Sequence, residues 1–204
     1  MKEKLQDLIN YFHNNKEEFK KEANTKTKLI EPLFEILGWD RRDLEKEASA
    51  RRGEKGGLVD YSFKIGDKIA FFLEAKAVGV SLDKEADKQA VSYALSKRIP
   101  FAVSTNFEEL KIFCVEQKGA LQNKFRVFSK PEDYIERLHD LMLLSRESFE
   151  KDETLKMAAS EGRLKERITI DQVLLDDLME IRRKMFYEIE KNHPQKYEPN
   201  EKDE

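Results

Sequence analysis

The stretch from Leu58 to Lys76 constrains the fold more than any other part of the chain, because it reads as two β-strands joined by a tight turn. Its sequence is LVDYSFKIGDKIAFFLEAK, in which β-branched and aromatic residues flank Gly66 and Asp67. We predict strands at about 58–64 and 68–76 that pair as a hairpin. An isolated hairpin is at best marginally stable, so further strands or a helix must bury its apolar surface.

Charged residues interrupt this apolar hairpin: Asp60 in the first strand, and Glu74 and Lys76 at the end of the second. Because side chains alternate along a strand, Glu74 and Lys76 share one face. The position of Asp60 depends on the loop. A three-residue loop places Asp60 opposite Glu74, whereas a two-residue loop places it opposite Leu73 and sends the two acids to different faces. The sequence leaves both registers open.

Two neighbouring carboxylates favour a bound cation. Their repulsion at 4 Å is about 1 kcal/mol in bulk water and about 4 kcal/mol at the effective dielectric of a protein surface. Oxygen ligands on a rigid sheet suit Mg²⁺, which also binds phosphate oxygens of a substrate. Lys76 could then polarise a water molecule or stabilise charge developing on phosphorus. The simpler interpretation, in which the three residues lie on the solvated face of a sheet, stays open at this point.

The rest of the chain predicts an α/β protein with a mixed, mostly antiparallel sheet of four or more strands flanked by helices. Apolar spacing indicates two amphipathic helices within residues 1–38, and charged and glycine-rich residues at 40–57 indicate an irregular strand or loop. Further elements come later in the chain: a helix at about 82–97, strands at about 100–105, 110–116 and 125–128, and a helix after Pro131. We expect one domain at 1–145 and a helical connector with a polar tail at 146–204.

The predicted helix at 82–97 carries a polar residue beside its buried stripe. Ala86, Ala90, Tyr93 and Lys97 fall on one stripe that should pack on the sheet, and Gln89 lies next to it. A buried polar group needs a partner, so Gln89 is predicted to point toward the acidic site.

Composition excludes few functions. Charged residues make up 39% of the chain and the net charge is −3, which argues neither for nor against nucleic acid because a local patch or a metal can bind phosphates. A single cysteine, Cys114, excludes an intrachain disulfide and suggests a buried strand residue. No signal peptide or membrane-spanning run is evident, so we expect a cytoplasmic protein without a membrane partner.

Several motifs together resemble the PD-(D/E)xK nuclease superfamily. They are Asp60, then Glu74-Ala75-Lys76, then Gln89-x-x-x-Tyr93 on the following helix. Residues 24–40, with Glu47 after them, look like the N-terminal nuclease domain of type I restriction R subunits and type IIG restriction-modification enzymes. The similarity covers roughly residues 20–115. The first motif here reads Val-Asp and lacks the proline of the nominal pattern, which is not a ligand.

The resemblance implies a role for each matching residue. It implies an Mg²⁺ ion, for which Mn²⁺ can substitute, bound by Asp60, Glu74 and the backbone carbonyl of Ala75. It implies that Lys76 acts on the attacking water. The remaining implied members position the metal, its water or the DNA: Gln89, Tyr93, Glu31 and Glu47. The implied reaction is cleavage of double-stranded DNA that leaves a 5′-phosphate and a 3′-hydroxyl.

The resemblance also implies a larger enzyme. Residues 168–194 resemble the helical connector that precedes the methyltransferase domain of type IIG enzymes, so the chain is expected to be the N-terminal fragment of a protein with methyltransferase and target-recognition domains. S-adenosylmethionine would bind only in that missing methyltransferase domain. Two alternatives stay open: the nuclease domain of a type I R subunit, and a DNA-binding or interaction module of the same fold that does not cut.

A basic segment precedes the predicted first catalytic strand. Arg51, Arg52 and Lys55 could hold the DNA backbone without reading its sequence. A solvated loop whose charges are partly offset by neighbouring acids is an equally good interpretation.

Overall fold

The computed structural model describes residues 1–48, 59–82, 84–115, 123–164 and 170–192. Contacts divide the chain into a unit from Met1 to Lys165 and a unit from Glu166 to Glu204. All of the described β-strands lie in the first unit. They are β1 (Leu44–Ala48), β2 (Val59–Ile65), β3 (Lys68–Ala75), β4 (Phe101–Thr105), β5 (Leu110–Cys114) and β6 (Lys124–Phe128).

The helices of the first unit precede, connect and follow these strands. They are α1 (Lys2–Asn14), α2 (Glu22–Thr25), α3 (Glu31–Ile36), α4 (Lys84–Lys97), α5 (Asp133–Glu136), α6 (Leu138–Leu141), α7 (Arg146–Glu150) and α8 (Glu153–Ser160). The second unit contains α9 (Ile170–Asn192).

The six strands form one sheet in chain order, from β1 at one edge to β6 at the other. Among the described strands only β3 and β4 pair in parallel, and α4 is the crossover between them; the other neighbours are antiparallel. A parallel pair needs such a crossover, whereas antiparallel neighbours need only short loops. The predicted class, a mixed and mostly antiparallel sheet with flanking helices, is confirmed.

Each face of the sheet packs on its own apolar core. Phe71 and Leu73 of β3 belong to the larger core, which includes residues of α1 and α3. Phe72, between them in sequence, belongs to the smaller core under α4. This alternation is what a strand covered on both faces requires. Cys114 is fully buried in β5, as predicted.

The buried stripe of α4 is largely as predicted. Ala86, Ala90 and Tyr93 are buried, and the Tyr93 ring meets Phe72 edge-on with centroids 5.9 Å apart. The prediction was wrong for Lys97, which is exposed. Lys97 is the last residue of α4, where a long charged side chain can reach solvent.

A proline shapes the helical segment before β1. Pro32 has no N–H to donate, and its ring crowds the carbonyl four residues earlier in a regular helix. A π-helical turn at Lys26–Ile30 lies directly before α3, in which Pro32 is in the first turn. We attribute this wider turn to the proline, since π-turns relieve such local conflicts in a helix.

Residues beyond 145 also contribute to the larger core. The Phe149 ring of α7 lies 6.0 Å from Trp39, 5.2 Å from Phe71 and 5.6 Å from Phe101, measured between ring centroids. Ala158 and Leu164 are also buried in this core. The boundary between the two units that the contacts define therefore comes after Lys165, whereas the domain boundary that we predicted from the sequence comes after residue 145. The functional division into a nuclease domain and a connector stays a prediction.

In the second unit, α9 follows the predicted helix closely. It spans Ile170–Asn192, within residues 168–194, for which a helical connector is expected. Several of its apolar side chains are exposed, including Leu178, Ile181 and Met185. Among the described residues, none of the helices combines the length and apolar character needed to cross a membrane.

The packing of Phe149 predicts a large effect of its removal. Phe149→Ala should lower the free energy of unfolding by about 2–4 kcal/mol, because it leaves a cavity beside three aromatic rings. Phe186→Ala in α9 is the control. That side chain is 47% exposed, so the change should be within about 0.5 kcal/mol. Urea denaturation of both variants measures these free energies of unfolding. Equal changes in the two variants would contradict the assignment of α7 to the larger core.

Candidate active site

The register of the hairpin places the two predicted acids opposite each other. The observed loop has two residues, since Ile65 pairs with Lys68. A bulge then shifts the register, so that Lys64 pairs with Ile69 but Phe63 pairs with Phe71. From there the pairing continues to Tyr61 and Leu73, which brings Asp60 level with Glu74. Both predicted alternatives were incomplete, because a two-residue loop plus one bulged residue gives the register of a three-residue loop.

The turn explains why the loop is so short. Gly66, its first residue, has a φ of +58°, and Asp67 is not among the described residues with positive φ. A positive φ at the first of two loop residues is the pattern of a type II′ turn, in which glycine is preferred. Ala70 is the unpaired residue of the bulge.

Asp60 is held at two oxygens. Its Oδ2 accepts a hydrogen bond of 2.7 Å from the backbone N–H of Ala75, and its Oδ1 lies 2.6 Å from the ammonium of Lys26. The first bond joins the start of β2 to the end of β3. A carboxylate has about four lone-pair positions, so these two contacts leave Asp60 with capacity to bind a cation.

Glu74 is a buried carboxylate with one satisfied oxygen. Its Oε1 accepts a bond of 2.6 Å from Lys76, whereas its Oε2 is buried without a hydrogen-bond partner among the described residues. Burial and the nearby charge of Asp60 raise the pKa of Glu74, and the bond from Lys76 opposes that rise. An ionised carboxylate in this setting is costly unless a second positive group meets the free oxygen.

Lys76 completes the predicted trio. Burial opposes its charge, but the bond to Glu74 and the charges of Glu74, Glu22 and Asp60 together raise the pKa of the Lys76 ammonium. Its side chain is 29% exposed, so the charged end borders solvent. The structure therefore brings Asp60, Glu74 and Lys76 into one electrostatic cluster, which is one of the two arrangements that the hairpin pattern left open.

The donor set fits one small divalent ion. It offers the free Oε2 of Glu74 and the spare acceptor capacity of Asp60, and Ala75, whose N–H bonds Asp60, follows Glu74 at the end of β3. Within the part of the chain that the structure describes, no group of three or more His, Cys, Asp and Glu side chains is placed to hold a metal by itself. A site with two protein carboxylates therefore depends on backbone, water or substrate oxygens, which is the usual way in which Mg²⁺ is bound.

Two residues that the sequence patterns did not single out also belong to this cluster. Lys26 contacts Asp60 and also Glu22, whose Oε1 is 2.6 Å from the same ammonium. Burial opposes the charge of Lys26, but the bonds to Asp60 and Glu22 outweigh it and raise the pKa of the ammonium. The sequence holds a weak signal: Glu22 and Lys26 continue, at helical spacing, the apolar stripe of Leu29 and Leu33, which places them on the same side of the helical segment.

Glu31 lies on the same helical segment but has other partners. Its Oε1 accepts hydrogen bonds from Tyr61 Oη at 2.8 Å and from Lys46 Nζ at 2.7 Å. Burial and the bond to Glu31 raise the pKa of Tyr61 well above its usual range. The predicted role of Glu31 toward a metal-bound water stays a prediction; the contacts seen link α3 to β1 and β2.

The predicted residues of α4 flank the sheet. Gln89 is half-buried and Tyr93 is buried on the face that meets the sheet. Their roles near metal or DNA stay predictions. A different polar group fixes the first turn of α4: buried Asp87 accepts a bond of 2.6 Å from Ser104 and lies 3.2 Å from the ammonium of Lys111.

Four further predicted residues cannot be placed with their side chains. Glu47 lies in β1, and its side chain is outside the described part. Arg51, Arg52 and Lys55 fall in residues 49–58, which lie outside the described residues. Their proposed roles stay predictions.

The chain is similar in sequence to a restriction enzyme. The chain is 29% identical over 130 residues to the type II restriction enzyme and methyltransferase RM.Eco57I of Escherichia coli, a match that covers 55% of this chain and 13% of that protein. The match therefore spans about an eighth of the length of the relative. The predicted similarity to restriction enzymes is confirmed. No family model matches the chain.

A solved structure is also similar. It is a fragment assigned to the HsdR subunit of a type I restriction enzyme from Vibrio vulnificus YJ016, with 24% sequence identity and a TM-score of 0.40. The match covers 58% of this chain and 25% of that one.

The unequal surroundings of Glu74 and Glu31 predict opposite effects of the same substitution. Without divalent ions at neutral pH, Glu74→Gln should raise the free energy of unfolding by up to about 1 kcal/mol, because it removes a buried charge with an unsatisfied oxygen. Glu31→Gln should lower it by about 1 kcal/mol, because it weakens two charge-assisted bonds. Denaturant unfolding in EDTA measures both, and a loss of stability in Glu74→Gln equal to that in Glu31→Gln would contradict this account of the site.

Proposed function

We propose that this chain is the nuclease module of a restriction-modification enzyme and that it hydrolyses DNA phosphodiester bonds with the help of Mg²⁺. The observation that carries the proposal is the buried carboxylate of Glu74, which has one free oxygen and lies beside Asp60 and Lys76. Most buried polar atoms in native proteins have a hydrogen-bond partner, and a buried carboxylate oxygen without one calls for an explanation. A site that receives a cation from outside explains it.

Each member of the site has a distinct task in this proposal. Asp60, Glu74 and the backbone carbonyl of Ala75 would hold the ion, which when bound supplies Lewis-acid assistance to phosphodiester hydrolysis. Lys76 borders solvent next to Glu74, where its ammonium can orient a water molecule and offset charge that develops on the phosphate. The bond from Ala75 N–H to Asp60 fixes this geometry before substrate arrives.

The comparison supports the cellular context of the proposal. The relative RM.Eco57I is named as a restriction enzyme and methyltransferase in one protein, which is the type IIG arrangement. We therefore propose that the chain works beside methyltransferase and target-recognition domains, and that S-adenosylmethionine binds only to the former. A type I R subunit is the alternative context, and the exposed apolar side chains of α9 are consistent with attachment to a further domain in either case.

Double-stranded DNA is the proposed substrate, and the cytoplasm is the corresponding compartment. Phosphate contacts need positive charge near the site, and Arg51, Arg52 and Lys55 precede β2 in the sequence. We propose that these residues hold the DNA backbone. A module that binds DNA without cutting would have no use for the free oxygen of Glu74, so we favour a nuclease.

Plasmid cleavage tests the proposal directly. With Mg²⁺ or Mn²⁺, wild-type protein should convert supercoiled plasmid to nicked or linear forms with 5′-phosphate ends. Asp60→Ala and Lys76→Ala should each lower the rate by at least about 10²-fold, because each removes a group that acts on the reacting phosphate. Lys64→Ala is a matched control, since this lysine pairs with Glu45 on the neighbouring strand and should leave the rate unchanged.

Calorimetric titration with Mn²⁺ provides a second readout that does not depend on DNA affinity. Wild type and Lys64→Ala should bind the ion, and Asp60→Ala should not. Equal cleavage by all four proteins, or Mn²⁺ binding unaffected by Asp60→Ala, would contradict the proposal.

The basic segment gives a separate prediction. Replacing Arg51, Arg52 and Lys55 together by alanine should weaken DNA binding by a similar factor for unrelated sequences. The slope of log affinity against log salt concentration should become shallower by the amount expected for the loss of up to about three phosphate contacts. Fluorescence anisotropy at several salt concentrations measures this. If the slope of log affinity against log salt concentration is unchanged in the triple variant, these residues do not contact DNA phosphates, and the interpretation as a solvated loop is favoured.

A further inference from the structure

The site contains two lysines, and they hold their acids in different ways. Lys76 binds one oxygen of Glu74 and leaves the other buried and free. Lys26 lies between two carboxylates, 2.6 Å from Asp60 Oδ1 and 2.6 Å from Glu22 Oε1. The cluster therefore has one open position for a cation, at Glu74, and one position already filled by an ammonium, at Asp60.

Lys26 is well fixed in this bridging position. Its side chain is 21% exposed and that of Asp60 is 17% exposed, so water competes little for the contact. A π-helical turn begins at Lys26, and Glu22 lies one helical turn earlier. The neighbouring Thr25 is fully buried and bonds to the carbonyl of Phe19 at 2.7 Å, which anchors this part of the segment.

We propose that Lys26 occupies the second cation position of the site, so that the centre accepts one divalent ion and not two. This inference rests on the proposed function. Two-metal phosphodiesterases hold their ions about 3.5–4 Å apart and share a carboxylate between them. Asp60 is the carboxylate placed for sharing, but its Oδ1 is bound to Lys26, which leaves Oδ2, the oxygen that also accepts the N–H of Ala75, to reach one ion. Lys26 supplies the second positive charge permanently, and the divalent ion is held on the Glu74 side.

The same geometry predicts the effect of removing the ammonium. Glu22 and Asp60 both touch the nitrogen of Lys26, so a cation in its place would reach both carboxylates. Lys26→Met keeps most of the length of the side chain but removes its charge, which leaves two acids facing each other. Divalent cations relieve such repulsion. The variant should therefore gain a second ion site formed by Glu22 and Asp60.

Mn²⁺ titration of the full chain, monitored by electron paramagnetic resonance of the free ion, counts the bound ions. Wild type should bind one Mn²⁺ per chain, and so should Lys26→Arg, which keeps the bridging charge. Lys26→Met should bind two. The double variant Lys26→Met with Glu22→Gln should return to one, because the new site loses a ligand.

Thermal unfolding checks that Lys26→Met is folded and gives an independent readout. Without Mn²⁺ the variant should melt below wild type, since Glu22 and Asp60 then repel each other. Saturating Mn²⁺ should raise its melting temperature more than that of wild type, because two ions bind only to the folded state.

The results separate the two proposals. One Mn²⁺ in wild type and also in Lys26→Met would overturn the role of Lys26 and leave the proposed function intact. Binding of two Mn²⁺ ions by wild type would also overturn the proposed role of Lys26. Absence of binding in wild type would contradict the proposed function itself, and the inference with it.

Discussion

The pairing of β2 with β3 is the constraint on which the candidate site depends. Asp60 and Glu74 meet only because a bulged residue, Ala70, moves the register by one position after the two-residue turn. A slip of one residue in a strand turns every side chain to the other face. The bond from Ala75 N–H to Asp60 Oδ2 then ties the far ends of the two strands together. Local backbone geometry thus fixes the distance between two acids that would otherwise repel.

The remainder of the fold keeps that pair in place at a cost in stability. Cores on both faces of the sheet bury β3, so Glu74 is surrounded by protein and its charge is poorly solvated. Asp87, Ser104 and Lys111 fix the first turn of α4 through buried polar contacts, and Lys26 reaches Asp60 from the helical segment before β1. Such a buried and incompletely satisfied group is typical of a site where function outweighs stability.

Strong local patterns predicted most of the fold, and non-local contacts account for the errors. The hairpin, α4 and the strands β4 to β6 follow from alternation and apolar spacing. The bulge at Ala70 has no signature in the sequence, so the register stayed undecided. Lys97 lies on the predicted stripe but is exposed at the end of α4. Phe149 is surrounded by charged residues in sequence, so its packing on Trp39 and Phe71 was not predicted. Lys26 was missed because its partner, Asp60, is 34 residues away.

The central claim is that Asp60 and Glu74 converge on one divalent ion. Anomalous diffraction from crystals soaked in Mn²⁺ tests it most directly. We predict a single peak, about 2.0–2.3 Å from Glu74 Oε2 and from an oxygen of Asp60, with Lys26 still bound to Asp60. Crystals that show no peak between these carboxylates, or a peak held by other residues, would contradict it.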